Sequence, residues 1–359
     1  MKKKSCIFLL IPVFFAVILF SCNKENIMDD IPVYDPTPYA FIIPSWVNQS
    51  IGDLPEPMDN PTTITGVELG RKLFYDKMLS NDFTISCASC HKQQNAFDDP
   101  RPFSQGTNFE FGDRNAMAII NQAWATSFFW DGRQSTLEAQ AHDPVTNPIE
   151  MANTWPVVIN RLQNHNEYPD LFFKAFNTAT IDSILVFKAI AQFERTLISY
   201  NSRFDKYYFE GDETQLTAQE VNGMDVFFGA GKCNNCHTDP LMTDNAFRNN
   251  GLDLMPVDSG RAKFTQDIND FGKFKVPTLR NIELTGPYMH DSRFTTLEET
   301  IEHYSSAVIS SSPNLDEHMV EFGTGLNLTS EQKEDLVAFL KSLTDESFIN
   351  NPEFSDPGN

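Results

Sequence analysis

The run Cys87-Ala88-Ser89-Cys90-His91 and its second copy, Cys233-Asn234-Asn235-Cys236-His237, constrain this chain more than any other feature. Two cysteines three apart can each add to a vinyl group of one haem. The histidine that follows then lies under the iron as its proximal ligand. A zinc ribbon brings its two C-x-x-C pairs about 15–20 residues apart, much closer than these. A redox dithiol of the thioredoxin kind needs no histidine after its second cysteine. The motifs therefore predict two covalently bound c-type haems, attached at Cys87 and Cys90 and at Cys233 and Cys236, with His91 and His237 as the iron ligands. The two remaining cysteines, Cys6 and Cys22, lie near the N-terminus, so no pair is left for a disulfide.

The first residues agree with that chemistry. Lys2, Lys3 and Lys4 precede an apolar run from Ile7 to Phe20, the layout of a secretory signal and too short for a convincing membrane span. The run ends in Leu19-Phe20-Ser21-Cys22, which resembles a lipobox, with Cys22 as the lipidated first residue of the mature protein. A plain signal peptide that leaves Cys22 free is the other reading. Thioether attachment of haem in bacteria takes place beyond the inner membrane, so export to the periplasmic side and lipid anchoring are expected together. The net charge is −22, and removal of the three lysines makes it more negative. That excludes nucleic acid as a natural partner and suits a basic partner such as a small cytochrome c.

Length suggests two domains. We expect a signal peptide at 1–21, a Pro-, Asp- and Asn-rich tether at 22–62, haem domains at 63–205 and 206–345, and a tail at 346–359. Val67, Leu69, Leu73, Phe74 and Met78 are apolar at helical spacing before the first motif. Short helices are predicted near 115–125, 134–142, 155–163 and 168–176, and a longer one from Asp182 to Ser199. Thr217 with Glu220 and Thr296 with Glu299 are capping boxes; the first opens a helix to Phe228. A last helix starts at Thr329 or Ser330 and runs to about Leu343. Gly223-x-x-x-Phe227 echoes Gly70-x-x-x-Phe74 ahead of each haem motif. No long alternating strand pattern occurs. The fold class read from this is mainly α, two cytochrome c-like domains with one haem each.

Six runs together carry a family resemblance: Cys87 to His91, Phe129-Trp130-Asp131-Gly132-Arg133, Asn147-Pro148-Ile149-Glu150-Met151, Ala191 to Leu197, Cys233 to His237, and Lys275-Val276-Pro277-Thr278-Leu279-Arg280-Asn281. With them the chain resembles the bacterial diheme cytochrome c peroxidase family, which includes MauG-type enzymes, over residues 64–345. The resemblance implies that the first haem handles hydrogen peroxide and that the second receives electrons from a small c-type cytochrome or another donor. It implies an electron path through Trp130 between the haems. It puts Gln140 and Glu150 in the peroxide pocket, where a carboxylate with a nearby amide can move a proton between the two oxygens. It also implies an interdomain calcium site at Asn115 with backbone carbonyls of Thr285 and Pro287. One side-chain oxygen is little for calcium, so most other ligands would be water. Dimers are common in the family, and a homodimer is an expectation here too.

Two positions depart from the commonest pattern. Many members carry a second histidine on the peroxidatic haem, in the loop after the first motif. Here that loop reads Phe103-Ser104-Gln105-Gly106-Thr107, and no histidine occurs between His91 and His142. Thr107 is a poor iron ligand, so the first haem is expected to be open; His142 is the fallback ligand. At the second haem, a count without gaps from Lys275-Val276-Pro277 puts Tyr304 where the common peroxidases have methionine. MauG-type members use tyrosine, and a phenolate lowers the haem potential relative to His/Met ligation. His303 and Met289 are the alternatives. His290 is expected near the haems in a hydrogen-bonding role, and His165 and His318 at the surface. The function expected is peroxide reduction to water. A MauG-like oxidation of a partner protein and a purely electron-transferring diheme cytochrome are the competing readings.

Overall fold

The structure, a computed structural model, describes residues 32–358. The predicted signal peptide and Cys22 lie outside them. Fourteen helices follow one another among the described residues: α1 Ser45–Ile51, α2 Ile64–Tyr75, α3 Cys87–Cys90, α4 Leu137–Thr146, α5 Trp155–Gln163, α6 Tyr168–Phe176, α7 Ser183–Arg195, α8 Arg203–Tyr208, α9 Ala218–Phe228, α10 Ala262–Thr265, α11 Leu297–Ser306, α12 Glu317–Val320, α13 Ser330–Lys341 and α14 Glu346–Ile349. The only sheet among them is one antiparallel pair, β1 Phe247–Arg248 with β2 Phe274–Lys275. None of the described helices is long and apolar enough to cross a membrane.

The fold is the same arrangement built twice. In the first half α2 crosses α7 at Gly70, where a Cβ would lie 1.9 Å from the Ala189 carbonyl oxygen. In the second half α9 crosses α13 at Gly223, where a Cβ would lie 1.9 Å from the Asp335 carbonyl oxygen. Phe74 packs on Phe193 at 5.3 Å, and Phe227 on Phe339 at 5.2 Å. Glycine is required at both crossings because the helix backbones touch. Each half then continues into the same turn. Asn121 and Asn281 are both left-handed and each opens a 3₁₀ turn. Phe128 bridges to Gln134, and Tyr288 to Phe294. Thr136 and Thr296 then cap α4 and α11. From Asn121 and Asn281 to the ends of α4 and α11 the repeat runs without a gap, Trp130 matching His290, Asp131 Asp291, Arg133 Arg293 and Leu137 Leu297.

Three departures from the expected elements have local causes. Residues 115–125 form a loop with only the 3₁₀ turn Gln122–Trp124, because Asn121 is committed to Ser199: its amide donates to the Ser199 carbonyl and its oxygen accepts from the Ser199 N–H. The same contacts pull 196–199 out of helix, so α7 ends at Arg195 rather than Ser199. The third is at the two chain ends. Residues 33–62, expected as tether, carry α1, with Val47 fully buried and Trp46 stacked on Phe209 at 4.0 Å. Residues beyond 346, expected as tail, return to the first half, where Phe348 and Phe354 join Phe97 in one core. Fully buried Arg280 pins α8 onto the second half: its guanidinium donates twice to Asp205 at 2.9 Å and once to the Pro240 carbonyl at 2.7 Å.

Candidate functional site: two haem pockets and the cavity between them

Ser86 caps the one-turn helix α3 in a capping box with Ser89. That turn sets Cys87 and Cys90 on one side and delivers His91 at its end. The His91 ring is held by its Nδ1, 2.9 Å from the Phe97 carbonyl oxygen. The carbonyl is presented by two successive left-handed residues, Ala96 (φ 51°) and Phe97 (φ 59°), a conformation that costs non-glycine residues energy and persists only where packing demands it. With Nδ1 engaged, Nε2 is the nitrogen left for iron. In the second half His237 Nδ1 lies 3.2 Å from the Pro277 carbonyl oxygen and 3.3 Å from that of Met242. Burial lowers the pKa of both imidazoles, so both are neutral, as ligation needs.

The four cysteines are unpaired. Burial raises the Cys87 and Cys90 thiols, and pushes Cys233 to about 12 and Cys236 to about 11. A redox dithiol requires the opposite shift. Cys233, Cys236 and His237 line a cavity of about 210 Å³ whose other walls include Phe227, Ile301, Leu336, Leu340, Met289 and Tyr304. An apolar slot with two thiols and one neutral imidazole fits a covalently held haem. Tyr304 Oη accepts a hydrogen bond of 3.0 Å from Asn250 Nδ2, which also lies 3.5 Å from Met289 Sδ. His303 is bound instead to the Asn250 carbonyl oxygen, 3.1 Å from its Nε2. Of the three candidates for the second axial position, Tyr304 and Met289 line the cavity. Burial pushes the Tyr304 phenol up to about 12.

Backbone bonds join the segments that carry Pro144, Glu150 and Thr107. Gln140 and Pro144 are one turn apart on α4. The Met151 N–H donates to the Pro144 carbonyl (3.2 Å), and the Thr107 N–H to the Glu150 carbonyl (2.9 Å). Gly106 lies so close to this segment that a Cβ would be 1.7 Å from the Ile149 carbonyl oxygen. The Glu150 carboxylate accepts 2.7 Å from Asn147 Nδ2. Burial raises its pKa, against the Asn147 hydrogen bond and the Arg133 charge. It is near enough to Cys87 and Cys90 to raise both thiols. His142, the fallback ligand, packs against Trp155 and Phe187 and is paired with Asp143 at 3.1 Å. The repeat adds a point that the motifs do not carry: the position matching Tyr304 is Pro144, whose side chain has no ligating atom.

Trp130 lines the second haem cavity and also a smaller one, of about 80 Å³, which it shares with Asn115, Thr285 and Pro287. Its indole N–H donates 2.9 Å to the Asn115 carbonyl. Its ring meets His290 edge-on at 6.5 Å, and His290 stacks on Phe274 at 3.7 Å. Arg114 braces this junction, bound to Asp131 at 2.7 Å and to Asp258 at 2.6 Å. The walls are mixed, with Met117, Ile120, Val276 and Met289 beside oxygen-bearing Asn115, Thr285 and Pro287; the oxygen donors are the kind a hard cation such as calcium takes. The small cavity also receives Asp98, which no motif in the sequence marks. His318, read as a surface residue, lines the second haem cavity, and His165 is half-buried with its ring 5.1 Å from that of Tyr168.

Residues 65–214 match the family model of the di-haem cytochrome c peroxidases. The chain is 36% identical over 293 residues to the methylamine utilization protein MauG of Methylorubrum extorquens, covering 81% of each. It is 36% identical over 304 residues to the cytochrome c551 peroxidase of Nitrosomonas europaea, covering 83% of this chain and 84% of that one. Among solved structures, a MauG-like protein associated with microbial copper homeostasis matches with TM-score 0.76 and 36% identity over 91% of this chain and 98% of that one. The diheme peroxidase BthA of Burkholderia thailandensis has the same fold, with TM-score 0.70 at 22% identity over 81% and 88% of the two chains.

Proposed function

Because the chain belongs to the di-haem cytochrome c peroxidase family, which makes it a peroxidase-type oxidoreductase with two haem c groups, we propose that it reduces hydrogen peroxide to water at the His91 haem, with electrons received at the His237 haem from a small cytochrome c. The observation that carries this reading is the asymmetry of the repeat: Tyr304 on α11 in the second pocket, Pro144 at the matching place on α4 in the first. The first pocket has a proximal histidine and no facing ligand. It is open without prior reduction, and no distal histidine has to be displaced.

The haem iron, when bound, supplies the site where peroxide binds and its O–O bond is broken. The rest falls to the chain. The Glu150 carboxylate, whose proton affinity burial raises, takes a proton from the near oxygen and returns it to the far one; Gln140 orients the peroxide. Trp130, held at the Asn115 carbonyl and lining the His237 cavity, passes electrons toward the first haem. Tyr304 closes the second pocket. Asn115, Thr285 and Pro287 hold a calcium ion in the small cavity. The acidic surface, net −22, draws a basic donor. Export, anchoring through Cys22 and dimerisation belong to the same proposal and rest on the sequence and the family.

Substituting Glu150 by Gln tests the mechanism. Peroxide turnover should fall by roughly 10²–10⁴ with both haems retained in the absorption spectrum; unchanged turnover would remove Glu150 from the chemistry. The Tyr304 position also favours a second reading. Relatives of this chain include MauG proteins, and a tyrosine-ligated second haem suits an enzyme that stores oxidising equivalents and spends them on a partner protein.

A further inference from the structure

Asp98 is a buried carboxylate without a counter-charge. It is 2% exposed and lines the small cavity with Asn115, Thr285, Pro287 and Trp130. Its Oδ1 accepts the Asp99 N–H at 2.8 Å, and no protein donor among the described residues reaches Oδ2. The basic side chains nearby are committed elsewhere: Arg101 binds Asp99 at 2.7 Å, Lys92 lies 3.8 Å from Asp99, and Lys275, which lines the same cavity, donates to the Ser127 carbonyl at 2.6 Å. A carboxylate buried without a partner is costly. A hard cation in the cavity removes that cost and uses the oxygen of the Asn115 side chain as well.

We propose that Asp98 is the anionic ligand of the cation held between the two halves, and that through Asp98 this cation fixes the proximal side of the peroxide haem. The inference rests on reading the small cavity as a cation site and adds to it the residue that neutralises the charge. The connection to the haem is one peptide long. Asp98 follows Phe97, whose carbonyl holds the His91 ring at 2.9 Å, within the left-handed turn at 96–97. On the other side Asn115 holds the Trp130 indole at 2.9 Å. A cation bound by Asp98 and Asn115 thus fixes both the proximal histidine of one haem and the tryptophan between the two. Without it, the turn at 96–98 loses its tie to the cavity and the His91 ring its fixed orientation.

The test uses holoprotein stripped of divalent ions with a chelator and titrated calorimetrically with Ca²⁺. The electron paramagnetic resonance spectrum of the ferric His91 haem is recorded at each stage. Wild-type protein should take up one Ca²⁺, and the His91 haem signal should change with it. Asp98→Asn should bind Ca²⁺ at least tenfold more weakly, in the range seen when groups around a metal are altered. Its spectrum without added Ca²⁺ should match that of stripped wild type. Should Asp98→Asn fail to take up haem, Asp98→Glu, which keeps the charge and moves it by one methylene, is titrated in its place. A tenfold or greater shift supports the assignment and an unchanged affinity overturns it. Wild type that binds while Asp98→Asn binds equally well removes Asp98 and leaves the cavity a cation site. Wild type that takes up no Ca²⁺ overturns both.

Discussion

Glu194 lies at the end of α7, 4% exposed, with no ion pair among the described residues. Burial pushes its carboxyl up to about 8; the Arg195 charge opposes the shift and Glu138 adds to it. A carboxyl raised in the folded state binds a proton that the unfolded chain has released. Its contribution to stability is therefore full below about pH 4.5 and is lost as pH rises to about 8. Glu194→Gln removes that dependence. The variant should melt higher than wild type at pH 8.5, by an amount that reflects a few kcal/mol at most, and nearly level with it at pH 4.5. Melting curves at the two pH values check this; the same difference at both would mean that the carboxyl is not protonated in the fold. Single residues were legible in the sequence to the extent that their chemistry was local. The haem cysteines and their histidines announce themselves by spacing. Glu150 and Gln140 could be picked out only through the family resemblance, because nothing near them in the chain marks a pocket. Asp98, Glu194 and His318 gave no signal. Their roles depend on burial against segments far away in the chain, and neither periodicity nor composition encodes that.

At the scale of elements, the two helix crossings carry the repeat. A methyl group at Gly70 meets the Ala189 carbonyl oxygen at 1.9 Å and the Phe193 Cβ at 3.0 Å. Helices α2 and α7 would have to separate, opening the first core beside Leu73 and Phe74. Gly70→Ala should cost about 1–3 kcal/mol, the usual penalty for overpacking, and lower the melting temperature. Gly112→Ala is the control, since the nearest atom to its added Cβ is 3.8 Å away. Equal melting temperatures for the two variants would contradict the close crossing. The helices α2, α5, α6, α9, α11 and α13 were readable because each pairs an apolar stripe with a Thr or Pro start, or both. Helix α1 escaped because its segment is rich in Pro and Asp and owes its order to Trp46 and Val47, which pack on Phe209 and on Trp124 and Tyr200. The loop at 115–125 reads as helical from its apolar residues, and loses to the hydrogen bonds between Asn121 and Ser199.

Across the whole molecule the two ends of the described chain cross between its halves. The N-terminal segment is bonded to the first half through the Asp35 N–H on the Lys174 carbonyl and the Thr37 carbonyl on the Ile64 N–H, and stacks Trp46 on Phe209 of the second. The last residues leave α13 and close the first core, where Arg71 and Tyr75 hold the carbonyls of Ser355 and Phe354. These crossings tie the halves together, and Trp130 lines both the cavity at His237 and the smaller one. The sequence motifs announced that there are two pockets and not how they differ. The difference lies in one pair of matching positions, Pro144 and Tyr304, which becomes meaningful once α4 and α11 are seen to be equivalent. The central claim is that the His91 haem is open to peroxide from the start. Its most direct test is peroxide-dependent oxidation of a reduced small cytochrome c by enzyme isolated with both haems ferric and never pre-reduced. Turnover without a lag is the expected result. Turnover that appears only after partial reduction of the enzyme would contradict the claim and mean that a ligand blocks the first haem.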